Sequence, residues 1–224
     1  MKFLTAILVS GVLALCVSCG GGSKPKTANQ AQAAEVKTEN YDEAINAVKG
    51  DPHNSVVAAF QRATEMQSFR AQLETTSNGR TSLISYEFAA PDRYRMVNGP
   101  TEMIVIGDQA YIKTMGAWQK VATGIGEQMK GIRSAELAAQ AREATNVSFV
   151  QPDTLNSEPT VVYHYVTTTL GAASGTSNNK TWVALKDGLP RKSEFISNFG
   201  GFSSTGVMTW HDYNSEVKIE PPLK

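Results

Sequence analysis

Between Asn54 and Phe69 the apolar side chains recur at helical spacing, with Val56, Val57, Phe60, Ala63 and Met66 on one stripe. That period predicts an amphipathic helix, and Asn54 or Ser55 could cap its start. From Phe69 onward the period shortens to two. Phe69, Ala71 and Leu73 alternate with Arg70, Gln72 and Glu74, Asn78-Gly79 marks a hairpin, and "SLISYEFAA" answers it across the turn. Further short runs follow: "DRYRMV", "EMIVIGDQAYIK" with a turn at Gly107-Asp108, and "WQKV". After one helical interruption the strand pattern resumes in "NVSFVQ", "TVVYHYVTTTL", "KTWVAL", "RKSEFISNF" and "STGVMTWHDYN". Many short strands with turn signals between them predict one large antiparallel sheet, curved or forming part of a barrel. The interruption, Gly124 to Asn146, carries Ile125, Met129, Ile132 and Leu137, and Ser134 with Glu136 marks a helix start. Gly126 and Gly131 weaken its first half. Such helices need a surface to cover, and a curved sheet offers one.

The first 50 residues follow neither period. Lys2 precedes an uncharged apolar run from Phe3 to Val17. That run is short for a bilayer span, which takes about 20 residues, and suits the apolar region of a secretory signal. The only two cysteines, Cys16 and Cys19, follow at C-x-x-C spacing. A redox pair would need a strand–helix scaffold around it, and a zinc site would need further ligands, whereas His53, His164 and His211 stand apart in the sequence. Small residues Val17 and Ser18 before Cys19, then glycine, resemble a bacterial lipobox. That resemblance implies cleavage before Cys19 and acylation of its thiol, leaving a mature chain without a free thiol or a disulfide. A cleaved signal with Cys19 merely nearby is the plainer alternative. Residues 1–18 are therefore read as a lipoprotein signal peptide, 19–50 as a flexible polar tether with a short helix possible over Tyr41 to Gly50, and 51–224 as the folded domain.

Charge changes this picture little. Lys plus Arg and Asp plus Glu are both 21 in the 224 residues, so no global field recruits nucleic acid or acidic headgroups. A monomer tethered at its end to the extracytoplasmic side of a bacterial membrane is the expected state.

The stretch Tyr86 to Val121 resembles the bacterial LolA/LolB and LppX/LprG lipoprotein superfamily. The residues that carry the resemblance are Phe88, Pro91, Arg93, Arg95, Ile104, Ile106, Gly107, Asp108, Tyr111 and Trp118. The hairpin around Trp182, Gly188, Pro190, Arg191 and Glu194 is similar to that superfamily's second half. The ending through Asp212, Tyr213, Val217, Ile219 and Pro221 is similar to its closing strand. The resemblance implies an α+β fold: an unclosed antiparallel half-barrel of roughly eleven strands with helices covering its concave face. It also implies an apolar cavity for the acyl chains of a lipid, glycolipid or lipoprotein.

Read from the residues, large apolar side chains are the only candidate ligand surface. Strand positions expected to point inward are Tyr86, Phe88, Met96, Ile104, Ile106, Tyr163, Tyr165, Trp182, Phe195, Met208 and Trp210. Phe60, Met129, Ile132 and Leu137 join them from the helices. An ordinary packed core accounts for the same residue types, because apolar side chains are mostly buried packing. Arg93 and Arg95, two apart, should share one strand face, either solvated or meeting a polar head group. No serine, cysteine and carboxylate accompany His164 or His211 in a nucleophile arrangement, and "GGFSSTG" lacks the lysine and helix of a phosphate loop. A non-enzymatic acyl-binding protein without cofactor or metal is thus expected. A partner-binding envelope lipoprotein with a filled core is the alternative, and a hydrolase using either histidine ranks third.

Overall fold

The computed structural model describes residues 41–121, 134–169 and 175–223. Two helices come first, α1 (Tyr41–Gly50) and α2 (Pro52–Thr64). Asp51 caps α2, its carboxylate accepting from the Asn54 N–H at 3.2 Å, and Pro52 occupies the first turn. The start therefore precedes the Asn54 or Ser55 expected from the apolar stripe, because proline at the first helical position has no N–H to lose. α1 fulfils the expected short helix before Gly50.

Six strands follow: β1 (Ser68–Ser77), β2 (Arg80–Ala89), β3 (Arg93–Asn98), β4 (Thr101–Ile106), β5 (Gln109–Thr114) and β6 (Ala117–Val121). Next comes α3 (Ser134–Arg142), beginning where Ser134 and Glu136 signalled a start. The chain then adds β7 (Thr145–Leu155), β8 (Glu158–Thr169), β9 (Gly175–Ala184), β10 (Pro190–Phe199) and β11 (Phe202–His211). All eleven strands form one antiparallel sheet in the order β6-β5-β4-β3-β2-β1-β11-β10-β9-β8-β7. The edge strands β6 and β7 do not meet, so the barrel stays open, as an unclosed half-barrel requires. Asn78-Gly79 links β1 to β2 with both residues at positive φ, the primed geometry that matches strand twist.

The helices lie over one sheet face. Val56, Ala59 and Phe60 of α2 and Ala138 and Ala141 of α3 are buried in one cluster with Phe69, Tyr163, Met208 and Trp210. Small alanines let α3 approach α2 closely. His53 fastens the end of α3, its Nε2 lying 3.2 Å from both the Ala141 and Arg142 carbonyl oxygens. Those carbonyls belong to the last turn, where helical acceptors lack internal donors.

The opposite, outer face is covered in part by the chain end. Beyond His211 the chain leaves the sheet, so the expected closing strand through Val217 and Pro221 is an irregular strap. Ile219, 3% exposed, packs on Ile104 and Tyr111. The Arg93 guanidinium donates to the Ile219 carbonyl at 2.6 Å. Arg70, Glu87, Arg95, Glu102 and Lys113 form a continuous ion-pair row across this face. Arg93 and Arg95 do share a face, but they hold the strap and the sheet; neither is simply solvated. Among the described residues no helix is long and apolar enough to cross a membrane.

Candidate functional site

A cavity of about 240 Å³ lies on the helix-covered face, between α2, α3 and strands β8 to β11. Its apolar side is built by Phe60 from α2, Leu137 from α3, and Phe195, Phe199, Met208 and Trp210 from the sheet. Phe60 meets Trp210 edge to face, with ring centroids 6.1 Å apart. Glycine makes room for two of these rings. A Cβ at Gly206 would collide with the Phe195 ring, and one at Gly175 would collide with Phe199. The aromatic wall thus rests on bare backbone, which larger residues would lift away.

The remaining wall is polar and uncharged. Tyr165 Oη stands 3.0 Å from Thr181 Oγ1, which is 2.6 Å from Ser193 Oγ. Nearer the strand ends, Ser197 donates to Ser177 at 2.9 Å, and the Asn179 amide donates to the Ser177 carbonyl at 2.9 Å and to Thr167 at 3.2 Å. Burial pushes the Tyr165 phenol up to about 12 against the opposing effect of its hydroxyl partners, so it stays neutral at physiological pH. None of the described residues lining the cavity is charged. An apolar chain could be buried here with hydroxyl, ester or amide groups beside it. A carboxylate or phosphate would lose its hydration without meeting a countercharge.

Six of the expected residues meet at this cavity: Phe60, Leu137, Tyr165, Phe195, Met208 and Trp210. Tyr86, Phe88, Met96 and Tyr163 face the same side but pack into the adjoining apolar cluster. There Tyr163 is 1% exposed beside Val56 and Val161. Ile104 and Ile106 do not join them. They point outward beneath the strap with Trp118 and Ile219, while Val105 and Met103 take the helix-covered side. Trp182 also belongs to the outer face. Its Nε1–H donates to Asp153 at 2.8 Å, and Lys180 and Lys192 lie 4.7 and 4.6 Å from its ring centroid. Met129 and Ile132 lie outside the described residues, as does Cys19.

Sequence reading missed the hydroxyl and amide residues of the floor. Ser177, Asn179, Thr181 and Ser193 alternate on their strands like inward positions, but their polarity reads as solvent-facing. The three histidines serve elsewhere. His53 fastens α3, His164 is on the outer face, and His211 lies 3.0 Å from Asp212, which also binds Arg70 at 3.1 Å.

Neither a protein-family model nor a curated protein sequence matches the chain. Comparison with solved structures returns LprF from Mycobacterium bovis, with TM-score 0.58, 12% identity, and coverage of 77% of this chain and 97% of that one. It also returns the Mycobacterium tuberculosis lipoprotein LppX, with TM-score 0.53, 14% identity, and coverage of 75% and 99%. The chain shares the LprF and LppX fold. That likeness matches the half-barrel implied by the resemblance of the Phe88-to-Trp118 motifs, and it spans nearly the whole length of both of those chains.

Proposed function

We propose that this protein is an extracytoplasmic lipoprotein that binds or transfers acylated lipids or lipoproteins in its half-barrel cavity, anchored to a membrane through an acylated Cys19. The observation that carries the reading is the cavity of about 240 Å³ under α2 and α3, with an aromatic side, a hydroxyl and amide side, and no charged group among the described residues that line it. At about 30 Å³ per water-sized group it has room for about eight such groups. Burying eight methylenes contributes about 6 kcal/mol before the cost of association. Taken alone that figure corresponds to the range between millimolar and micromolar, an upper bound that the cost of association lowers. The uncharged lining favours a chain entering with a neutral ester or hydroxyl head over a free fatty acid. Burial does the binding, so no catalytic group is needed.

The test is extraction of the protein from native membranes followed by mass spectrometry of bound species, together with titration of a fluorescent monoacylglycerol. Co-purified acyl species and saturable binding support the carrier. Their joint absence overturns it in favour of a partner-binding lipoprotein, a reading that the filled packing around Val56 and Tyr163 would suit. Fatty-acid labelling that survives Cys19→Ser would refute the anchor.

A further inference from the structure

Adjacent strands alternate in direction, so the hairpin turns divide into two sets at opposite ends of the sheet. One end carries Asn78-Gly79, Gly99-Pro100, Met115-Gly116 and Gly200-Gly201. Including the flanking residue on each side, these four turns contain a single charged group, Arg80, and no acid. The other end carries Asp92, Asp108 and Asp187 in its connections, with Lys186 beside Asp187. Composition does not demand this division, since acids and bases are equal over the chain.

The end with these four turns also displays apolar side chains that the described residues do not bury. Met115, at the β5–β6 turn, is 104% exposed, and Phe202, beside Gly200-Gly201, is 69% exposed. Phe202 pairs across the hairpin with Phe199, a residue of the cavity wall, and antiparallel partners share a face. No charged residue occurs between Glu194 and His211, so the whole outer part of this hairpin is neutral. The cavity's Ser177, Ser197 and Phe199 lie toward the same end, within the last residues before the tip.

We propose that this end of the sheet is a lipid-surface docking edge, in which Phe202 and Met115 enter the headgroup region and bring the Phe199 side of the cavity against the membrane. The acid-free, singly cationic set of turns fits a neutral or anionic lipid surface better than the opposite connections, which carry three acids. Apolar residues at hairpin tips lose water on entry while the sheet itself stays outside. Continuity from Phe202 to Phe199 gives an acyl chain an apolar route of one residue pair. This inference rests on the carrier reading for its purpose, but docking can be measured without it.

The test uses the mature chain beginning after Cys19, which carries neither the Phe3–Val17 apolar run nor a cysteine that could be acylated. A single dye is attached through Phe202→Cys in one sample and Asp108→Cys in another. Vesicles of phosphatidylcholine with a minority of phosphatidylglycerol carry nitroxide-labelled lipids. Quenching at position 202 with little at position 108 is expected. Quenching confined to 108, equal at both sites or absent at both would overturn the proposal. In the otherwise unlabelled protein, Phe202→Ser with Met115→Ser should weaken vesicle binding about tenfold or more, the effect of losing about 1.4 kcal/mol. An unchanged affinity also overturns it. Docking at position 202 without any binding of a fluorescent monoacylglycerol keeps the edge and removes the carrier; the converse result removes only the edge.

Discussion

Replacing Ser197 by Phe should close the cavity from within. Ser197 is 7% exposed, lines the cavity, and spends its hydroxyl on Ser177. The larger side chain adds about five heavy atoms; at about 30 Å³ each they take up about 150 Å³. Of the 240 Å³, space for about three methylene-sized groups remains in place of about eight. Losing burial for five methylenes removes about 4 kcal/mol, or close to a thousandfold in affinity. Losing the hydroxyl bond costs about 1 kcal/mol of folding stability, which urea unfolding can separate from the binding effect. Fluorescent monoacylglycerol titration should therefore show no saturable binding to Ser197→Phe, while its far-ultraviolet circular dichroism matches the parent. If the folded variant binds the probe with unchanged affinity, acyl chains do not occupy this cavity, and the volume argument fails.

His53→Ala should speed amide exchange in α3 by removing the side-chain donor from its last turn, an effect of about 1 kcal/mol; unchanged exchange would show that the alanine interface alone holds the helix. Asp153 is held below the usual carboxylate range by its bonds from Trp182 and the Thr154 N–H. A depressed folded value stabilises above the unfolded pKa and is lost as pH falls through the folded one. The stability gap between the parent and Asp153→Asn should be full above about pH 4 and close in stronger acid, as followed by urea midpoints against pH. A gap independent of pH would refute the assignment. Burial opposes the charge of Arg191, but its bonds to Glu158 and Asp187 outweigh this and raise its pKa. Arg191→Met should cost about 2 kcal/mol, since both carboxylates lose their partner while water reaches them in part. A stability change within experimental error would show that water replaces the guanidinium without loss.

The parts of the fold that were legible in the sequence are those with local causes. Asn78-Gly79 specifies its turn through positive φ, and Phe69, Ala71 and Leu73 mark one buried face by alternation. Alternation fails where a strand is covered on both sides. In β4, Val105 is buried with Tyr94 and Ala110 on one face and Ile104 with Tyr111 and Ile219 on the other, so "MIVI" carries no parity signal and does not reveal that Ile104 and Ile106 face outward. Trp182 misled for a related reason, because its size suggests a core residue while Asp153 and two lysines hold it on the outer face. The outer cover itself, Val217 to Ile219, comes from a stretch whose alternating pattern reads as a strand. The cavity was expected from resemblance alone, since incomplete filling between a helix and a sheet leaves no mark on either pattern.

The strand order has a consequence for how this chain reaches its fold. Strands β1 to β6 pair in succession, and so do β7 to β11; among the described strands, only the β1–β11 pair joins segments distant in sequence. Each half can assemble through short-range hairpins, which close small loops and form quickly. The seam between them closes a loop of more than a hundred residues, and its entropy must be met before any contact there is made. That seam is fastened at one end by Asn214, whose side chain accepts from the Gln67 N–H at 2.8 Å and whose own N–H donates to Ser68 at 2.9 Å. The seam also forms one wall of the cavity through Met208 and Trp210. The cavity should consequently be the last part of the molecule to assemble, and its formation should report on completion of folding.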